Sequence, residues 1–472
     1  MKTATFLTAL LLIAPALAKE RTERFDKDPG WDGQNNRSEI EKRTIKQDFG
    51  YSPTTHAGGA MGEVGGHITP AAEPAWYAKK IEPRTFNDVL SASGKLRCRG
   101  PAFHVLITFF NSDTTKEWRT ANSVAIRLLG RGNVFYAYVE YCTGRWRAGG
   151  DSPGGFALAK DEMGRMNLRG FPMDKVHEWT LKYDPNGNKG AGAIAVTLGG
   201  ETAVCHLDPG HKADGATFNR FGLLPVLKSA DGGGEVYVDD VSVNGVADDF
   251  SRDPQWEGHN NRREFVTGDV RPRFDFGYTP TRHAGGLAAG ELGGLVFRGD
   301  CREKHRLAAY GDRIANLTLD QPLKASGRVA LRRAVSDSTV LIGFYNSKDS
   351  VQVNPSQSSG FPRSFLGVAV EGPSREGFLV YPAYRVGDGQ GYANGNDRPH
   401  ILPDGKPHQW SFEYDPKAGR MTVTLDRKPV LLNVEPKARA AGVKFDRFGL
   451  VTTWIDGNAQ RIYFDDLTYT CE

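Results

Sequence analysis

The opening of this chain returns 225 residues later. Phe25 begins F-D-K-D-P-G-W-D-G-Q-N-N-R-S-E and Phe250 begins F-S-R-D-P-Q-W-E-G-H-N-N-R-R-E. Residues 48–59 (DFGYSPTTHAGG) match 275–286 (DFGYTPTRHAGG). Later landmarks keep the same order: His177-Glu178-Trp179 with His408-Gln409-Trp410, Tyr183-Asp184-Pro185 with Tyr414-Asp415-Pro416, and Asn219-Arg220-Phe221-Gly222 with Asp446-Arg447-Phe448-Gly449. A repeat that covers most of the chain admits only folds that can be built twice. Length alone, 472 residues, suggests about three domains of ~150 residues. The repeat divides the chain instead into two units, residues 19–247 and 248–472, each large enough to bury its own core.

Within each unit the pattern is that of antiparallel sheets. Ala102 to Phe110, Val134 to Tyr141, Trp179 to Tyr183, Ile194 to Leu198 and Val236 to Val243 are short β-branched or aromatic runs between Gly, Asn, Asp and Pro clusters. Val340 to Tyr345, Phe365 to Val370, Gly377 to Tyr384, Gln409 to Tyr414, Met421 to Leu425 and Arg461 to Leu467 repeat them. Helical periodicity is nearly absent; its best stretch, Asp161 to Asn167, is short and interrupted by glycine. The 56 glycines, well above the usual ~7%, belong in the turns. The expected fold class is all-β, two tandem antiparallel β-sandwiches.

Met1-Lys2-Thr3, the apolar run Phe6 to Ala14 and Ala16-Leu17-Ala18 have the form of a secretory signal peptide over residues 1–18. No apolar run reaches the ~18 residues that a membrane span needs. The expectation is a secreted protein, extracellular or periplasmic, without membrane insertion. Five cysteines follow, Cys98, Cys142, Cys205, Cys301 and Cys471, in no zinc spacing and in odd number, so one thiol is left over from any pairing within the chain. A net charge of +4 is too balanced to imply a nucleic-acid partner. Phosphate-binding loops, G-x-S-x-G elbows, H-E-x-x-H zinc motifs and dinucleotide fingerprints are all missing from the sequence.

Both copies close on F-x-R-F-G-L, a polar turn, and a strand reading Y-V-D-D-V (237–241) or Y-F-D-D-L (463–467). This closing pattern resembles the concanavalin A-like jelly roll of laminin-G-like and legume-lectin-like domains. The opening blocks are similar to those of uncharacterised secreted bacterial proteins with such domains. The resemblance implies a jelly-roll fold and a superfamily that contains carbohydrate-binding modules, glycoside hydrolases and polysaccharide lyases. It brings no catalytic residue with it, so a site has to be argued from the residues themselves.

The copies differ where chemistry can sit. In Val134 to Cys142, strand alternation puts Phe135, Ala137, Val139 and Tyr141 on one face and Tyr136, Tyr138 and Glu140 on the other. An unpaired buried carboxylate costs several kcal/mol, so the Glu140 face is expected to look toward solvent or a cleft. Arg127, one strand earlier, can share that face, and Arg145, Trp146, Arg147 and Asp151 follow in a glycine-rich loop. In the second copy Glu140 becomes Ala383 and Arg127 becomes Ala369, while Tyr138 persists as Tyr381. The candidate catalytic residues are therefore Glu140, Tyr138, Arg127 and Asp151, with Tyr136, Arg145, Trp146, Arg147, Tyr381 and Arg385 as substrate contacts. Hydrolysis of a glycoside needs a second acid beside Glu140, and Asp151 is the one nearby in sequence. Elimination needs an arginine over a uronate and a tyrosine to move the proton. An ordinary cross-strand ion pair between Arg127 and Glu140 is the competing reading.

Two repeated blocks point to structure more than chemistry. Asn35-Asn36-Arg37-x-Glu39 and Asn260-Asn261-Arg262-x-Glu264 suit a hydrogen-bonded corner, and His56 and His283 have no partner nearby in sequence. If the first and last strands of each copy pair, Asp26 meets Asp240 and Asp249 meets Asp466, a set of hard oxygen ligands suited to structural calcium. The expected partner is a polysaccharide or glycan, handled on the concave face of the first unit by hydrolysis or elimination. The alternative is a tandem binding or adhesion protein without chemistry.

Overall fold

The computed structural model describes residues 19–38, 41–116, 120–160, 162, 166–356, 360–395 and 397–472. The signal-like segment and Glu39 lie outside the described residues. Each predicted run is a strand with modest changes at its ends: His104–Phe110, Val134–Cys142, His177–Asp184, Ala193–Leu198 and Gly234–Val243 in the first copy. In the second copy the strands are Thr339–Tyr345, Phe365–Glu371, Leu379–Val386, His408–Asp415, Arg420–Leu425 and Ala459–Thr470. The only α-helices among the described residues are single turns, His211–Asp214 and Pro436–Arg439. The five cysteines form no disulfide.

The strands assemble into two antiparallel sandwiches. In the first, a sheet ordered from Glu201–His206 through Leu90–Arg99, Gly234–Val243 and Arg43–Ser52 faces a sheet ordered from Ala148–Asp151 through Val134–Cys142, Ser123–Arg131 and His104–Phe110 to Trp76–Thr85. The second sandwich repeats both layers, with Gly389–Tyr392, Leu379–Val386, Phe365–Glu371 and Thr339–Tyr345 in the positions of the second sheet. Side chains alternate as the pattern requires. Phe135, Ala137, Val139 and Tyr141 enter the first core, and Leu366, Val368 and Val370 enter the second.

The sequence repeat and the structural unit are out of step. Glu257–His259 and Arg262–Thr267, from the opening block of the second copy, pair with Trp76–Thr85 and Arg43–Ser52 at the edges of the first sandwich. Reciprocally, Glu20–Glu23 and Asp32–Gln34 pair with Ala459–Thr470 and Ala309–Leu317 of the second. Phe250 and Trp256 are buried in the first core, Phe25 and Trp31 in the second. The boundary expected at 247/248 is thus displaced by one opening block. Each block completes the sandwich that precedes it, and the first block, with none before it, closes the ring onto the last.

The asparagine-rich blocks fasten this exchange. Asn36 Nδ2 donates to the Phe276 carbonyl and Arg37 to Asp275 at 2.7 Å, while Asn261 Nδ2 donates to the Phe49 carbonyl and Arg262 to that of Tyr51. Gly62 (φ +112°) and Gly290 (φ +138°) make room for the incoming backbone: a Cβ on either would strike the carbonyl of Phe250 or Phe25. The H-A-G-G histidines are structural too. Glu63 is fully buried and accepts the backbone N–H groups of His56 and Ala57; Glu291 does the same for His283 and Ala284. The imidazole rings lie 4.2 and 4.4 Å from Tyr237 and Tyr463.

Exchange also overturns the expected meeting of aspartates. The segment carrying Asp26 is on the sandwich of Asp466, and the segment carrying Asp249 is on that of Asp240. Asp240 is held by Lys95 at 2.6 Å and Asp466 by Arg328 at 3.1 Å. No group of three or more His, Cys, Asp or Glu suited to a metal gathers among the described residues. The neighbouring Asp239 and Asp465 are buried, and burial raises both to about 6.

Trp31→Ala is expected to remove about 3–5 kcal/mol from the second sandwich although it lies in the first copy. Hydrogen exchange should quicken in Phe445–Val451 and Ala459–Thr470 and stay slow in Thr217–Pro225; Trp256→Ala should do the reverse. Equal quickening in both sandwiches would contradict the exchange. For Asp239 and Asp465, a folded pKa near 6 against ~3.9 unfolded means that the folded state holds extra protons between those values. Their contribution to stability is therefore present at acid pH and lost as pH rises through 6. The denaturation midpoint of Asp239→Asn/Asp465→Asn, relative to wild type, should rise between pH 4 and pH 6.5.

Candidate functional site

The sheet Val134–Cys142/Ser123–Arg131 turns its outer face toward the second sandwich, and a cleft of about 720 Å³ lies between them. From the first sandwich it is lined by His104, Arg127, Arg131 and Tyr138, and from the second by Arg298, Ile455 and Asp456. The register sets Arg127 opposite Tyr138 and Ala125 opposite Glu140. The guanidinium carbon of Arg127 stands 3.7 Å above the Tyr138 ring, close enough for a cation–π contact. Its Nε donates to Glu140 at 2.6 Å and its Nη1 lies 3.0 Å from His104 Nε2.

The sequence places Glu140 on the correct face but not in the correct environment. Expected to look toward solvent or a cleft, it is 6% exposed and held by Arg127. The buried carboxylate is tolerated because a cation of the adjacent strand neutralises it. Asp151 is exposed at the sheet edge, opposite Val139; the residue opposite Glu140 is Gly150, which has no side chain. Tyr136 is half-buried on the same strand. Burial raises the Tyr138 phenol, with Arg127 opposing. Burial and then Arg127 hold His104 well below its ordinary value, so its ring is neutral.

The glycine-rich loop joins the sandwiches more than it rims the cleft. Trp146 (φ +59°) packs against Phe378 at 6.3 Å and onto the second core. Arg147 is engaged by both oxygens of Asp214, at 2.5 and 2.8 Å, and by the Gly210 carbonyl. Arg145 is exposed.

Cations within the cleft divide by what they already hold. Lys228 pairs with Asp231 at 2.7 Å and Arg271 with Asp456 at 2.5 Å. Arg298 gives its Nε and Nη2 to the Thr339 hydroxyl and makes no ion pair among the described residues. Arg131 is exposed and likewise makes none. Neither has a carboxylate within ion-pair distance among the described residues, although the Arg298 charge is felt by Glu371 of the neighbouring cleft. Arg298 was invisible to the sequence comparison because it belongs to the other copy.

A second cleft of about 490 Å³ opens on the second sandwich, and Arg298 and Ile455 line it as well. Tyr381 is in its wall, beside Phe361, Tyr392, Glu371 and Arg398. Burial raises the Glu371 carboxyl, with Arg298 and Arg398 opposing. Arg385 is 5% exposed; its Nη1 donates to the Phe361 carbonyl and its guanidinium sits 4.9 Å over Trp454. Its role here is to hold the wall.

No protein-family model matches the chain, and no curated protein sequence is significantly similar to it. Among solved structures, domains LG4-5 of the mouse laminin alpha1 chain are similar at 12% identity, covering 88% of this chain and 88% of that one, with a TM-score of 0.22. Peanut lectin is similar at 13% identity over 41% of this chain and 89% of its own, TM-score 0.28. An alginate lyase from Pseudomonas aeruginosa is similar at 14% identity over 35% and 74%, TM-score 0.26. At such values the likenesses bear on nothing beyond the all-β sandwich architecture, which the strand pairing already establishes. No helix among the described residues is long and apolar enough to cross a membrane.

Glu140→Gln should leave the Arg127 charge buried without its counter-ion and cost about 3 kcal/mol in chemical denaturation. Adding Arg127→Met should recover most of that loss. A single-variant cost below about 1 kcal/mol would show the pair to be an ordinary solvated one.

Proposed function

We propose that this protein is exported and binds an acidic polysaccharide in the cleft between its two sandwiches. The observation that carries the reading is the pair Arg131 and Arg298, one from each sandwich, facing one cleft with no carboxylate within ion-pair distance of either among the described residues. Guanidinium groups match the planar carboxylates of uronate sugars. Tyr138, under Arg127, offers an aromatic face to the apolar side of a sugar ring and a hydroxyl at its edge. The lectin and alginate lyase likenesses agree with a carbohydrate ligand without adding weight to it, and residues 1–18 have the pattern of an export signal.

A second reading, cleavage of the polymer by β-elimination, is favoured over hydrolysis by the surroundings of Glu140. A hydrolase needs two carboxylates flanking the bond. Here Glu140 is held by Arg127, and a glycine stands opposite. For elimination, Arg131 or Arg298 would neutralise the uronate carboxylate and acidify the C5 proton. Arg127 would not, since Glu140 already occupies it. As the C4–O4 bond breaks, a solvent water would take the C5 proton, and the Tyr138 phenol, raised by burial and so protonated at neutral pH, would give its proton to the departing O4 and regain one from solvent.

Titration calorimetry against polygalacturonate, polymannuronate, hyaluronan and an uncharged glucan tests the binding. One or more acidic polymers should bind, more weakly as salt rises, and the glucan should not. Arg131→Ala and Arg298→Ala should each weaken binding about tenfold, the loss of one charge-assisted contact. Failure of every acidic polymer to bind overturns the proposal. If the cleft is catalytic, the bound polymer should gain the ultraviolet absorbance of an unsaturated uronate, and Tyr138→Phe should abolish that signal while keeping affinity. Binding without new absorbance leaves the protein a binding module.

A further inference from the structure

The two clefts share a wall but not a chemistry. Arg298 and Ile455 line both, so the cleft over the first sandwich and that over the second adjoin at these side chains. On the first side are the cations described above. On the second side carboxylates meet the cations: Arg398 lies 3.9 Å from Glu371 and 3.8 Å from Glu376 and donates to the carbonyls of Ala393 and Gly395, and the shared Arg298 also acts on Glu371. Between these charges runs an aromatic surface. Tyr392 sits 6.1 Å from both Phe361 and Tyr381, and 52% of it is exposed. The Tyr392 hydroxyl makes no hydrogen bond among the described residues, and the exposure of its ring in a wall otherwise drawn into packing needs a reason.

We infer that one polysaccharide chain runs through both clefts and that its repeat joins an acidic sugar to an uncharged one, the acidic unit lying at Arg131 and Arg298 and the uncharged unit stacked on Tyr392. This rests on the reading of the first cleft as a site for acidic polysaccharide. A homopolymer of uronates would carry its next carboxylates toward Glu371 and Glu376, where both Arg398 contacts are already taken, and like charge there costs binding. An uncharged ring brings no such conflict. Its C–H face covers the phenol ring and its hydroxyls reach Glu371 and Gln390, which line the same wall. The duplication then has a use: two sandwiches with one scaffold and opposite equipment read two different sugars of one chain.

Matched hexasaccharides separate the outcomes. Polygalacturonate and polymannuronate are the homopolymers; hyaluronan and unsulfated chondroitin alternate glucuronate with an uncharged N-acetylhexosamine. At least one alternating hexasaccharide should bind the full chain tenfold or more tighter than either homopolymer. Tyr392→Ala, a substitution at an exposed position, should erase that preference while changing homopolymer affinity less than twofold. Arg131→Ala should weaken both classes alike. Homopolymers binding as tightly as the alternating chains, or Tyr392→Ala weakening both classes equally, overturns the inference and leaves the first cleft's reading intact. Failure of all four to bind removes the reading on which it rests.

Discussion

The delivery of each opening block to the other copy's sandwich holds the molecule together. A jelly-roll edge left open would present unpaired N–H and C=O groups, and a core without its Phe and Trp would contain a void. Phe25 and Trp31 fill one such core, Phe250 and Trp256 the other. The Asn-Asn-Arg turns then convert the visiting strand into an edge with fixed register. Because the two blocks are exchanged, neither copy as written in the sequence contains a complete sandwich. The first described residue meets the last as a result: Lys19 donates its N–H to the Glu472 carbonyl at 3.1 Å.

Closure of that ring sets the sandwiches side by side, and the clefts follow from it. Trp146 reaches from the first sandwich onto the second core, and Arg375 meets Asp208 at 3.5 Å. The outer face of the Glu140 strand carries its own counter-charge on the neighbouring strand. Arg127 and Glu140 became a buried pair, and the cations that remain available to a ligand are those farther along the wall, on both sides of the gap. A site that sequence comparison assigns to one copy is, in the folded chain, made by two.

Several features were legible in advance. Strand positions followed from β-branched and aromatic runs, and the inward set Phe135, Ala137, Val139 and Tyr141 followed from alternation. The inequality of the copies at positions 127 and 140 was also visible. Two other features were not: the burial of Glu140 against Arg127, and the part taken by Arg298, Arg398 and Tyr392, which carry no motif and come to line the clefts only through their placement. The aspartates illustrate the same limit. Asp26 and Asp240 looked like strand partners because they open and close one repeat, but exchange assigned their segments to different sandwiches.

The sequence by itself determined that the chain is all-β, that it is built twice and which face of each strand is apolar, because period, turn chemistry and self-similarity are local properties. Only the tertiary structure decided which opening block completes which sandwich and which charges face the cleft between the sandwiches. A repeat supplies two equivalent edges for each block, and the choice between them depends on surfaces that exist only after both copies have folded and met.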